Sequence, residues 1–589
     1  MMYCFKCIFI LVPFCLCLIT NSINSAEVDE LMKATPEGNV DSVGQSKISN
    51  GKKYMIVTAD KRASIAAQNI LDRGGSAIDA IIAAQMVLNV VEPQSSGIGG
   101  GGFLLYYDFK EKKITAFDGR ERAPIKFNPN VFLKINGKKK EFIETLAGGL
   151  AVGAPSLVSM LEKAHKQYGI LDWTQLFDES INYSNNGFVI GERLAKLIKK
   201  APHLKNQSAS KKYFNIENGG LIPGKKLVNK ELADSLRIIR KKGSSGLLEG
   251  IIAKSILIAV NDSDNIGLLV NEDFSLVRPK AVHPVCADYR GWKICGMGPP
   301  SSGGITVLQI LGILSNFNLN SGSIKNVEVW HLFLEASKIA YADRDYYIAD
   351  DKFVKVPISE MLDKTYLKLR ANQVNERAIN QPVKPGNFNN KNAYKMGKDM
   401  TSELNSTTHI SIIDQFGNAA SLTSSIEFMF GSGLMVSGFL LNNQMTDFSF
   451  YPFDGEGHPI ANRPEARKKP RSSMSPTLVF DSSGSLRLVI GSPGGSRIIC
   501  YVALSLVRFI DLNMSIKDIV KSPNICNRGP YSAVETGSKG DEITKDLEKL
   551  GYKIERKKMV SGIHIVYRDE NGILWGTADP RREGAAVGK

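Results

Sequence analysis

The chain has few cysteines beyond its first 17 residues, which excludes a scaffold built on disulfides. Four of its 8 cysteines lie at positions 4, 7, 15 and 17, and the others are Cys286, Cys295, Cys500 and Cys526. No Cys-x-x-Cys pair occurs beyond the N-terminal group, so a zinc ribbon has no ligands. Cys286 and Cys295 either bridge a strand pair or stay as two free buried thiols, and the sequence leaves both open.

Clustered histidines are also lacking, and this argues against a metal site. The 7 histidines are scattered, with no His-Glu-x-x-His and no His-x3-His pair. Residues 97–102 match Gly-x-Gly-x-x-Gly, but they follow a predicted helix and open a strand, the reverse of a dinucleotide site. Glycines before a strand instead predict close backbone approach. We therefore expect no metal and no cofactor.

A long apolar run is missing after the N-terminus. The run at 8–19 has 12 residues, too few to cross a core of ~30 Å, and Lys6 precedes it. Small and polar residues follow up to Ala26, which is typical of a secretory signal peptide at 1–26. We predict an exported protein, periplasmic or secreted, with no stable membrane insertion after the leader is removed.

The chain has an excess of basic residues that points to no nucleic-acid surface. Lys and Arg number 74 against 59 Asp and Glu, so the net charge is 74 − 59 = +15. These residues are dispersed, and the one dense run is 467–471, so neither a groove nor a stacking platform is indicated. With 43% hydrophobic and 23% charged residues, the composition is that of a globular protein.

Helical patterns dominate the first two thirds of the chain and strand patterns the last third. Apolar periodicity predicts helices at 63–71, 77–91, 157–168 and 327–343. Residues 383–406 are polar and rich in Asn, Lys and Gly, which indicates an exposed segment. Strand alternation begins abruptly at Thr407.

Residues 407–425 predict a hairpin with one polar face. A turn at 414–418 with Gly417 centres the pairing on Phe416, so Thr407 faces Ser425. The face that carries Thr407 is polar throughout, and the other face is more apolar. The pattern fits an ordinary hairpin with its polar face in water, and it fits equally a site that uses those hydroxyls.

Thr407 is the candidate nucleophile. It is the first residue of a strand after a pliable segment, which suits a hydroxyl freed by chain cleavage. A threonine hydroxyl needs a base, and an N-terminal threonine carries its own α-amine. Further along, Ser472 and Ser473 offer paired hydroxyls. The backbone N–H groups of Gly494 and Gly495 are candidates to stabilise an oxyanion, although a plain turn there fits the composition as well.

Taken together, these motifs give the chain a strong resemblance to a known family. From about residue 54 to its end it resembles the γ-glutamyltransferases (γ-glutamyl transpeptidases) of the N-terminal nucleophile hydrolase superfamily. The matching motifs lie at 91–101 (VEPQSSGIGGG), 118–124 (DGRERAP), 299–304 (PPSSGG), 340–344 (AYADR), 407–409 (TTH), 441–448 (LNNQMTDF), 472–476 (SSMSP), 491–495 (GSPGG) and 578–581 (ADPR).

The resemblance implies a fold and a maturation step. The fold is of the α+β class, a four-layer αββα sandwich. The precursor cuts itself between Ser406 and Thr407 into a large subunit (27–406) and a small catalytic subunit (407–589). Thr407 then takes the γ-glutamyl group of glutathione or another γ-glutamyl compound and passes it to water or to an acceptor amino acid or peptide. Ser425 stands where the family usually has a second threonine.

The resemblance also assigns substrate contacts. Arg120 would hold the α-carboxylate, as a guanidinium fork suits two oxygens, and Asp447 would hold the α-ammonium. The remaining assignments are Ser472 and Ser473 beside the carboxylate, Gln444 beside Asp447, and Gly494 and Gly495 as oxyanion donors.

The sequence departs from the family pattern at two places, and both bear on substrate specificity and not on the class of reaction. Glu427 replaces the asparagine of better-known members near the ammonium, and it either strengthens cation binding or points away. Residues 433–438 are about two residues shorter than in some members. Residues 448–471 correspond to a loop that covers the site in some members, and their Pro and Gly content is compatible with a lid.

Three other readings compete with γ-glutamyl transfer. The related cephalosporin and glutaryl acylases keep the fold and nucleophile but change the acyl group, and Arg120 with Asp447 argues against them. A degenerate binding protein would not need Thr407, Ser425 and the Gly494–Gly495 pair. A nucleic-acid-binding protein lacks its basic groove.

Overall fold

Two large antiparallel sheets form the centre of the protein in the computed structural model. The structure describes residues 48–319, 326–388, 395–401, 406–529 and 531–589. The predicted signal peptide at 1–26 therefore lies outside the described residues. The strands are β1 Ile48–Gly51, β2 Met55–Thr58, β3 Gly101–Asp108, β4 Lys113–Gly119, β5 Phe188–Val189, β6 Lys226–Leu227, β7 Lys280–Val282, β8 Val285–Tyr289, β9 Trp292–Gly296, β10 Thr408–Ile413, β11 Ala419–Ser425, β12 Met435–Val436, β13 Phe439–Leu440, β14 Thr477–Phe480, β15 Leu486–Gly491, β16 Ile525–Asn527, β17 Ser532–Glu535, β18 Ile554–Lys557, β19 His564–Arg568, β20 Leu574–Ala578 and β21 Ala585–Gly588.

The helices flank these sheets and agree with the sequence prediction at all four predicted places. The α-helices are α1 Lys61–Asp72, α2 Ala77–Val91, α3 Phe142–Leu146, α4 Leu157–Tyr168, α5 Asp178–Asn186, α6 Glu192–Lys199, α7 Ser208–Tyr213, α8 Lys230–Lys242, α9 Ser245–Leu248, α10 Gly250–Asn261, α11 Asn271–Ser275, α12 Gly303–Leu314, α13 Asn326–Tyr347, α14 Ile358–Met361, α15 Lys364–Ala371, α16 Ile498–Ile510, α17 Ile516–Lys521 and α18 Ser538–Lys549.

The two sheets stack face to face between helical layers. One sheet has the order β1-β20-β19-β15-β14-β9-β8, and the other has the order β21-β2-β10-β11-β3-β4-β7. Strand β2 shows the layering, because Ile56 packs into the core shared with α1 and α2 while Met55 and Val57 pack into the core between the sheets. The α+β class and the four-layer αββα arrangement are thus confirmed.

Helix α2 illustrates why the sequence forms this outer layer. Ser76 caps the helix by accepting a hydrogen bond from the Asp79 N–H, and the Asp79 carboxylate accepts one from the Ser76 N–H. This reciprocal capping box fixes the start of the helix. All 15 of its residues are buried, as expected of a helix that is apolar apart from Asp79, Gln85 and Asn89.

The second sheet draws strands from both sides of the predicted cleavage point. Strand β10, which follows Thr407, lies between β2 and β11, and β21 at the C-terminus pairs with β2. Strands β2 to β4 precede the cleavage point and β10, β11 and β21 follow it. Cutting one peptide bond would therefore leave the sheet's hydrogen bonds intact.

The described part of the chain contains two disulfides, and one of them resolves a question that the sequence left open. Cys286 and Cys295 are bonded to each other and stand opposite one another on β8 and β9. A second disulfide joins Cys500 on α16 to Cys526 on β16, and sequence reasoning did not propose it. Disulfides form and persist in oxidising compartments. In the part of the chain that the structure describes, no helix is long and apolar enough to span a membrane.

Candidate active site

Thr407 immediately precedes β10, and the hairpin has the predicted register. His409 pairs with Thr423 and Ser411 with Ser421, so pairing is centred on Phe416 as expected. The polar face of the hairpin does not meet water. The interpretation of residues 407–425 as an ordinary hairpin with its polar face in water is therefore wrong. This face is buried against the other sheet, where the Ser411 hydroxyl donates to the His564 carbonyl oxygen at 3.2 Å. Thr407 and Ser425 lie at the end of this buried face, and both are nearly inaccessible.

Three oxygens form a tight group at the Ser406–Thr407 peptide bond. Thr407 Oγ1 lies 2.7 Å from the Ser406 carbonyl oxygen and 3.2 Å from Ser425 Oγ. The Ser425 hydroxyl donates to the same carbonyl oxygen at 2.7 Å and accepts a hydrogen bond from the Glu427 N–H at 2.9 Å. Hydrogen bonding to a carbonyl oxygen polarises the carbon beside it, the atom that a nucleophile attacks.

Residues that the sequence analysis did not single out hold this peptide bond in place. The Ser406 hydroxyl donates to the Gln94 carbonyl oxygen, and the Thr408 hydroxyl donates to Glu92 at 3.0 Å. Arg582 Nη1 donates to the Thr407 carbonyl oxygen at 3.1 Å. Residues 92 and 94 lie in the motif at 91–101, but the sequence analysis drew attention only to the glycines of that motif. Arg582 lies just outside the motif at 578–581 and 175 positions from Thr407. Nothing in the sequence around it therefore indicated a contact with Thr407.

A small pocket of about 20 Å³ opens onto Thr407. We call it the Thr407 pocket. Nine of the ten predicted site residues line it, with Met474 and Ile498 as two apolar additions that were not predicted. The lining residues are Arg120, Thr407, Ser425, Glu427, Gln444, Asp447, Ser472, Ser473, Met474, Gly495 and Ile498. The structure thus brings together residues from five separate sequence motifs, with Ser425 and Glu427 from outside those motifs.

Opposite charges meet at one side of this pocket. Arg120 Nη2 lies 2.5 Å from Asp447 Oδ2, although the two residues are 327 positions apart. The guanidinium also donates to the carbonyl oxygens of Pro470 at 3.1 Å and Arg471 at 2.8 Å. Arg120 is 2% exposed and Asp447 5% exposed, so their attraction is screened little by water.

Gln444 and Glu427, the two other polar residues on this side of the pocket, differ in whether their side chains have hydrogen-bond partners. Both side-chain amide atoms of Gln444 are buried and lack a hydrogen-bond partner among the described residues. Such a group is costly unless something binds it. Glu427 instead accepts a hydrogen bond from Asn443 Nδ2, and its own backbone has φ of 77°. Glu427 therefore lines the pocket while Asn443 holds its carboxylate.

Ser472 and Ser473 reach the pocket from the segment before β14. The Ser473 hydroxyl accepts a hydrogen bond from Arg344 Nη2 at 2.8 Å, and Arg344 Nε donates to Ser302 at 2.9 Å. Ser472 Oγ accepts from the Met474 N–H at 3.2 Å. Two motifs quoted for the family resemblance, at 299–304 and 340–344, therefore serve to position a pocket hydroxyl.

The glycine turn at 494–497 closes the pocket beside Thr407. Gly494 has φ of 140° and Gly495 φ of 55°, both in the region that favours glycine. A Cβ on Gly494 would stand 2.5 Å from the ring of Tyr501. Gly495 lines the Thr407 pocket, and Gly494 is the one predicted site residue that does not.

The glycines at 97–102 also have the predicted role. A Cβ on Gly100 would stand 2.2 Å from the Ser425 carbonyl oxygen, and one on Gly99 would stand 2.1 Å from the Leu440 carbonyl oxygen. This run therefore permits close backbone contact behind Ser425. Within the described ranges, no group of His, Cys, Asp and Glu is arranged to hold a metal ion.

Comparison with known proteins identifies the family. A family model described as Gamma-glutamyltranspeptidase matches residues 63–589. The chain belongs to the gamma-glutamyltranspeptidase family. It is 36% identical over 552 residues to the glutathione hydrolase proenzyme of Bacillus subtilis (strain 168), covering 92% of each chain. It is 35% identical over 540 residues to the glutathione hydrolase proenzyme of Escherichia coli (strain K12), covering 90% of each.

Solved structures agree with this membership. Helicobacter pylori gamma-glutamyltranspeptidase aligns with a TM-score of 0.52 at 34% identity, over 56% of this chain and 92% of that chain. Cephalosporin acylase from Bacillus halodurans aligns with a TM-score of 0.82 over 94% of this chain and 98% of its own, but at 24% identity it indicates a shared fold alone. The family resemblance and the fold predicted from the sequence are confirmed.

Proposed function

We propose that this chain is a self-processing γ-glutamyltransferase with glutathione hydrolase activity, cut between Ser406 and Thr407 into the predicted large and small subunits. One observation carries the proposal. Thr407 Oγ1 and the Ser425 hydroxyl both approach the Ser406 carbonyl oxygen, at the mouth of a pocket that contains a buried Arg120–Asp447 ion pair.

Maturation begins when Thr407 Oγ1 attacks the Ser406 carbonyl carbon. A C–O ester bond forms, the Ser406–Thr407 C–N bond breaks, and the Thr407 nitrogen takes the hydroxyl proton and becomes a free amine. Water then hydrolyses the ester, which leaves a carboxylate on Ser406 and a free hydroxyl on Thr407. Ser425 donates to the oxygen on which negative charge develops, and this is where a preorganised donor accelerates acyl transfer.

In catalysis the freed α-amine of Thr407 serves as the base. An α-amine has a pKa of about 7.7–8, so near neutral pH it can take the hydroxyl proton as Oγ1 attacks the γ-amide carbon. The amide C–N bond breaks, the leaving amine takes that proton, and a γ-glutamyl ester remains on Thr407. Water or an acceptor amine then attacks the ester carbon, and the C–O bond to Thr407 breaks. We assign the N–H groups of Gly494 and Gly495 to the oxyanion.

The γ-glutamyl group is recognised by the positions of its two charges. It carries an α-carboxylate beside an α-ammonium, and the pocket presents a guanidinium beside a carboxylate. The zwitterion can align with the Arg120–Asp447 pair so that each charge meets its opposite. Gln444, with its unsatisfied amide, and Glu427 lie on the ammonium side, and Ser472 and Ser473 assist the carboxylate. A glutaryl group has no ammonium, and the acylase reading is disfavoured for that reason.

We propose further that 1–26 is a signal peptide and that the enzyme acts outside the cytoplasm, in the periplasm or secreted. The two disulfides support export, since such bonds persist in oxidising compartments. Glutathione, other γ-glutamyl compounds and acceptor amino acids or peptides are the partners that this reaction requires. No cofactor takes part.

The test is maturation and turnover of Thr407→Ala. Wild type should yield a fragment whose N-terminal residue is Thr407 by mass spectrometry and should hydrolyse γ-glutamyl-p-nitroanilide. Thr407→Ala should remain one chain without turnover, while Thr365→Ala, an exposed threonine on α15, should mature normally. A fragment beginning at residue 407 in Thr407→Ala, or rapid wild-type turnover of glutaryl-p-nitroanilide, would refute the proposal.

A further inference from the structure

A second and larger cavity begins where the glycine turn ends. It measures about 310 Å³, and we call it the Arg497 cavity. Gly495 lines the Thr407 pocket, whereas the next two residues, Ser496 and Arg497, line this cavity. Arg344 lines it as well and donates a hydrogen bond to Ser473 in the Thr407 pocket. The two spaces are therefore neighbours, separated by one backbone turn.

Most charges around the Arg497 cavity are paired. Arg344 Nη1 lies 3.0 Å from Asp345, and Lys557 lies 2.6 Å from Glu555. The remaining acid in the lining, Asp399, lies 3.0 Å from Arg471 Nη2. The carboxylates of this cavity are thus all engaged by other cations.

Three cations in the lining form no close ion pair with a carboxylate among the described residues: Lys398, Arg497 and Arg528. Lys398 acts on Asp345 only as a nearby charge. Arg497 is 8% exposed, and its Nε lacks a hydrogen-bond partner in the described part of the chain. Arg528 donates from Nη1 to the Ser496 hydroxyl. Burial and the nearby Arg497 charge lower the pKa of Arg528 to about 10. Arg497 is buried, and Lys398 and Arg528 are half-buried. Like charges withdrawn from water without a counter-ion are costly, so the cavity favours an anion.

A disulfide keeps these like charges together. Cys526 lines the cavity two residues before Arg528, and it is bonded to Cys500, three residues after Arg497. The covalent link holds the start of α16 against β16, and so it keeps the two segments that carry these guanidinium groups next to each other.

We propose that the Arg497 cavity binds the free carboxylate of the peptide joined to the γ-glutamyl group, through Arg497, Arg528 and Lys398. The proposal rests on the γ-glutamyl transfer described above. The peptide amine must leave from the ester carbon beside Gly495, and Arg497 is two residues further, within about 7 Å along the backbone. An extended dipeptide spans a similar length, which matches its carboxylate to the cavity. After cleavage, the new C-terminal carboxylate of Ser406 is a second group of the same chemistry that could occupy this cavity. The experiment below distinguishes the two carboxylates.

The experiment compares three γ-glutamyl donors with the mature wild-type enzyme: glutathione, glutathione whose glycine carboxylate is an amide, and γ-glutamyl-p-nitroanilide. Glutamate release should show a KM more than about tenfold higher for the amide than for glutathione, with similar kcat, because the amide lacks the charge that all three cations contact. Arg497→Gln should raise the KM for glutathione by about tenfold, the effect of losing one charge-assisted contact. It should leave the KM for γ-glutamyl-p-nitroanilide unchanged, because that leaving group has no carboxylate.

Two further variants complete the test. Lys398→Gln, on a separate segment, should also raise the KM for glutathione alone, so the test survives if Arg497→Gln fails to mature. Arg237→Gln, a surface arginine on α8 paired with Asp234, should change nothing.

Equal KM values for glutathione and its amide in wild type would overturn the proposal and favour the Ser406 carboxylate as occupant. So would a preference for glutathione that persists in both variants. If wild type does not hydrolyse γ-glutamyl-p-nitroanilide, the proposed function itself is wrong and the inference falls with it.

Discussion

Ser425 is the side chain whose placement says most about how Thr407 would work. The register placed it opposite Thr407, and the structure adds that its hydroxyl donates to the Ser406 carbonyl oxygen at 2.7 Å. It also contacts Thr407 Oγ1 at 3.2 Å. One hydroxyl therefore touches both the proposed nucleophile and the oxygen of the bond to be cut. A serine meets both demands without the extra methyl of the threonine usual in the family.

We expect Ser425→Ala to slow maturation and to lower kcat by about a hundredfold, the cost of losing one donor to a developing oxyanion. The measurements are the time course of the fragment beginning at Thr407 and the steady-state kinetics of the mature enzyme. Ser425→Thr keeps the hydroxyl and should restore both rates. Maturation of Ser425→Ala at the wild-type rate would show that the contact has no catalytic importance.

At the scale of elements, the hairpin depends on close contact between the two sheets. Gly491 at the end of β15 faces His409 on β10, and a Cβ on Gly491 would stand 2.2 Å from His409 Cε1. His409 is fixed by Thr423 at 2.8 Å and Ser411 at 3.0 Å. The imidazole therefore cannot move away without breaking hydrogen bonds in the buried interface.

Gly491→Ala should consequently destabilise the protein by about 1–3 kcal/mol, the usual cost of overpacking a tight core. Urea unfolding followed by circular dichroism measures this change. Gly455→Ala is the matched control, since a Cβ there meets nothing within 4 Å, and it should stay within about 0.5 kcal/mol of wild type. Equal midpoints for the two variants would mean that the sheets can separate to accommodate a methyl group.

At the scale of the whole molecule, two buried histidines lie at the interface of the sheets. Burial lowers the pKa of His564 to about 4, and burial together with the nearby His564 lowers that of His409 well below its usual value. His564 Nδ1 lies 2.6 Å from the His409 carbonyl oxygen, which links the sheets. The folded protein therefore keeps both imidazoles neutral in mildly acidic solution.

This arrangement predicts a loss of stability in acid. The unfolded chain has histidine pKa values near 6.5, so between about pH 6.5 and pH 4 it binds more protons than the folded protein. Each histidine then lowers the free energy of unfolding by up to about 1.4 kcal/mol per pH unit as the pH falls. Urea midpoints at pH 7 and pH 5 measure the slope. His564→Gln should flatten it, and His458→Gln, outside the interface, should not. An unchanged slope in His564→Gln would contradict this account.

The sequence by itself determined the local features of this protein. Alternation with a period of two and the turn around Gly417 fixed the hairpin and its register, because both depend on neighbouring residues. The motifs then indicated the family, the α+β class and nine residues that prove to share one pocket.

Only the tertiary structure decided what depends on distant parts of the chain. The polar hairpin face is buried because the second sheet covers it, and periodicity cannot tell a covering sheet from water. The pairing of Arg120 with Asp447, the Cys500–Cys526 disulfide and the contact of Arg582 with Thr407 each join residues far apart in sequence. The Arg497 cavity is of the same kind, since packing alone sets which charges meet a partner and which are left for a ligand.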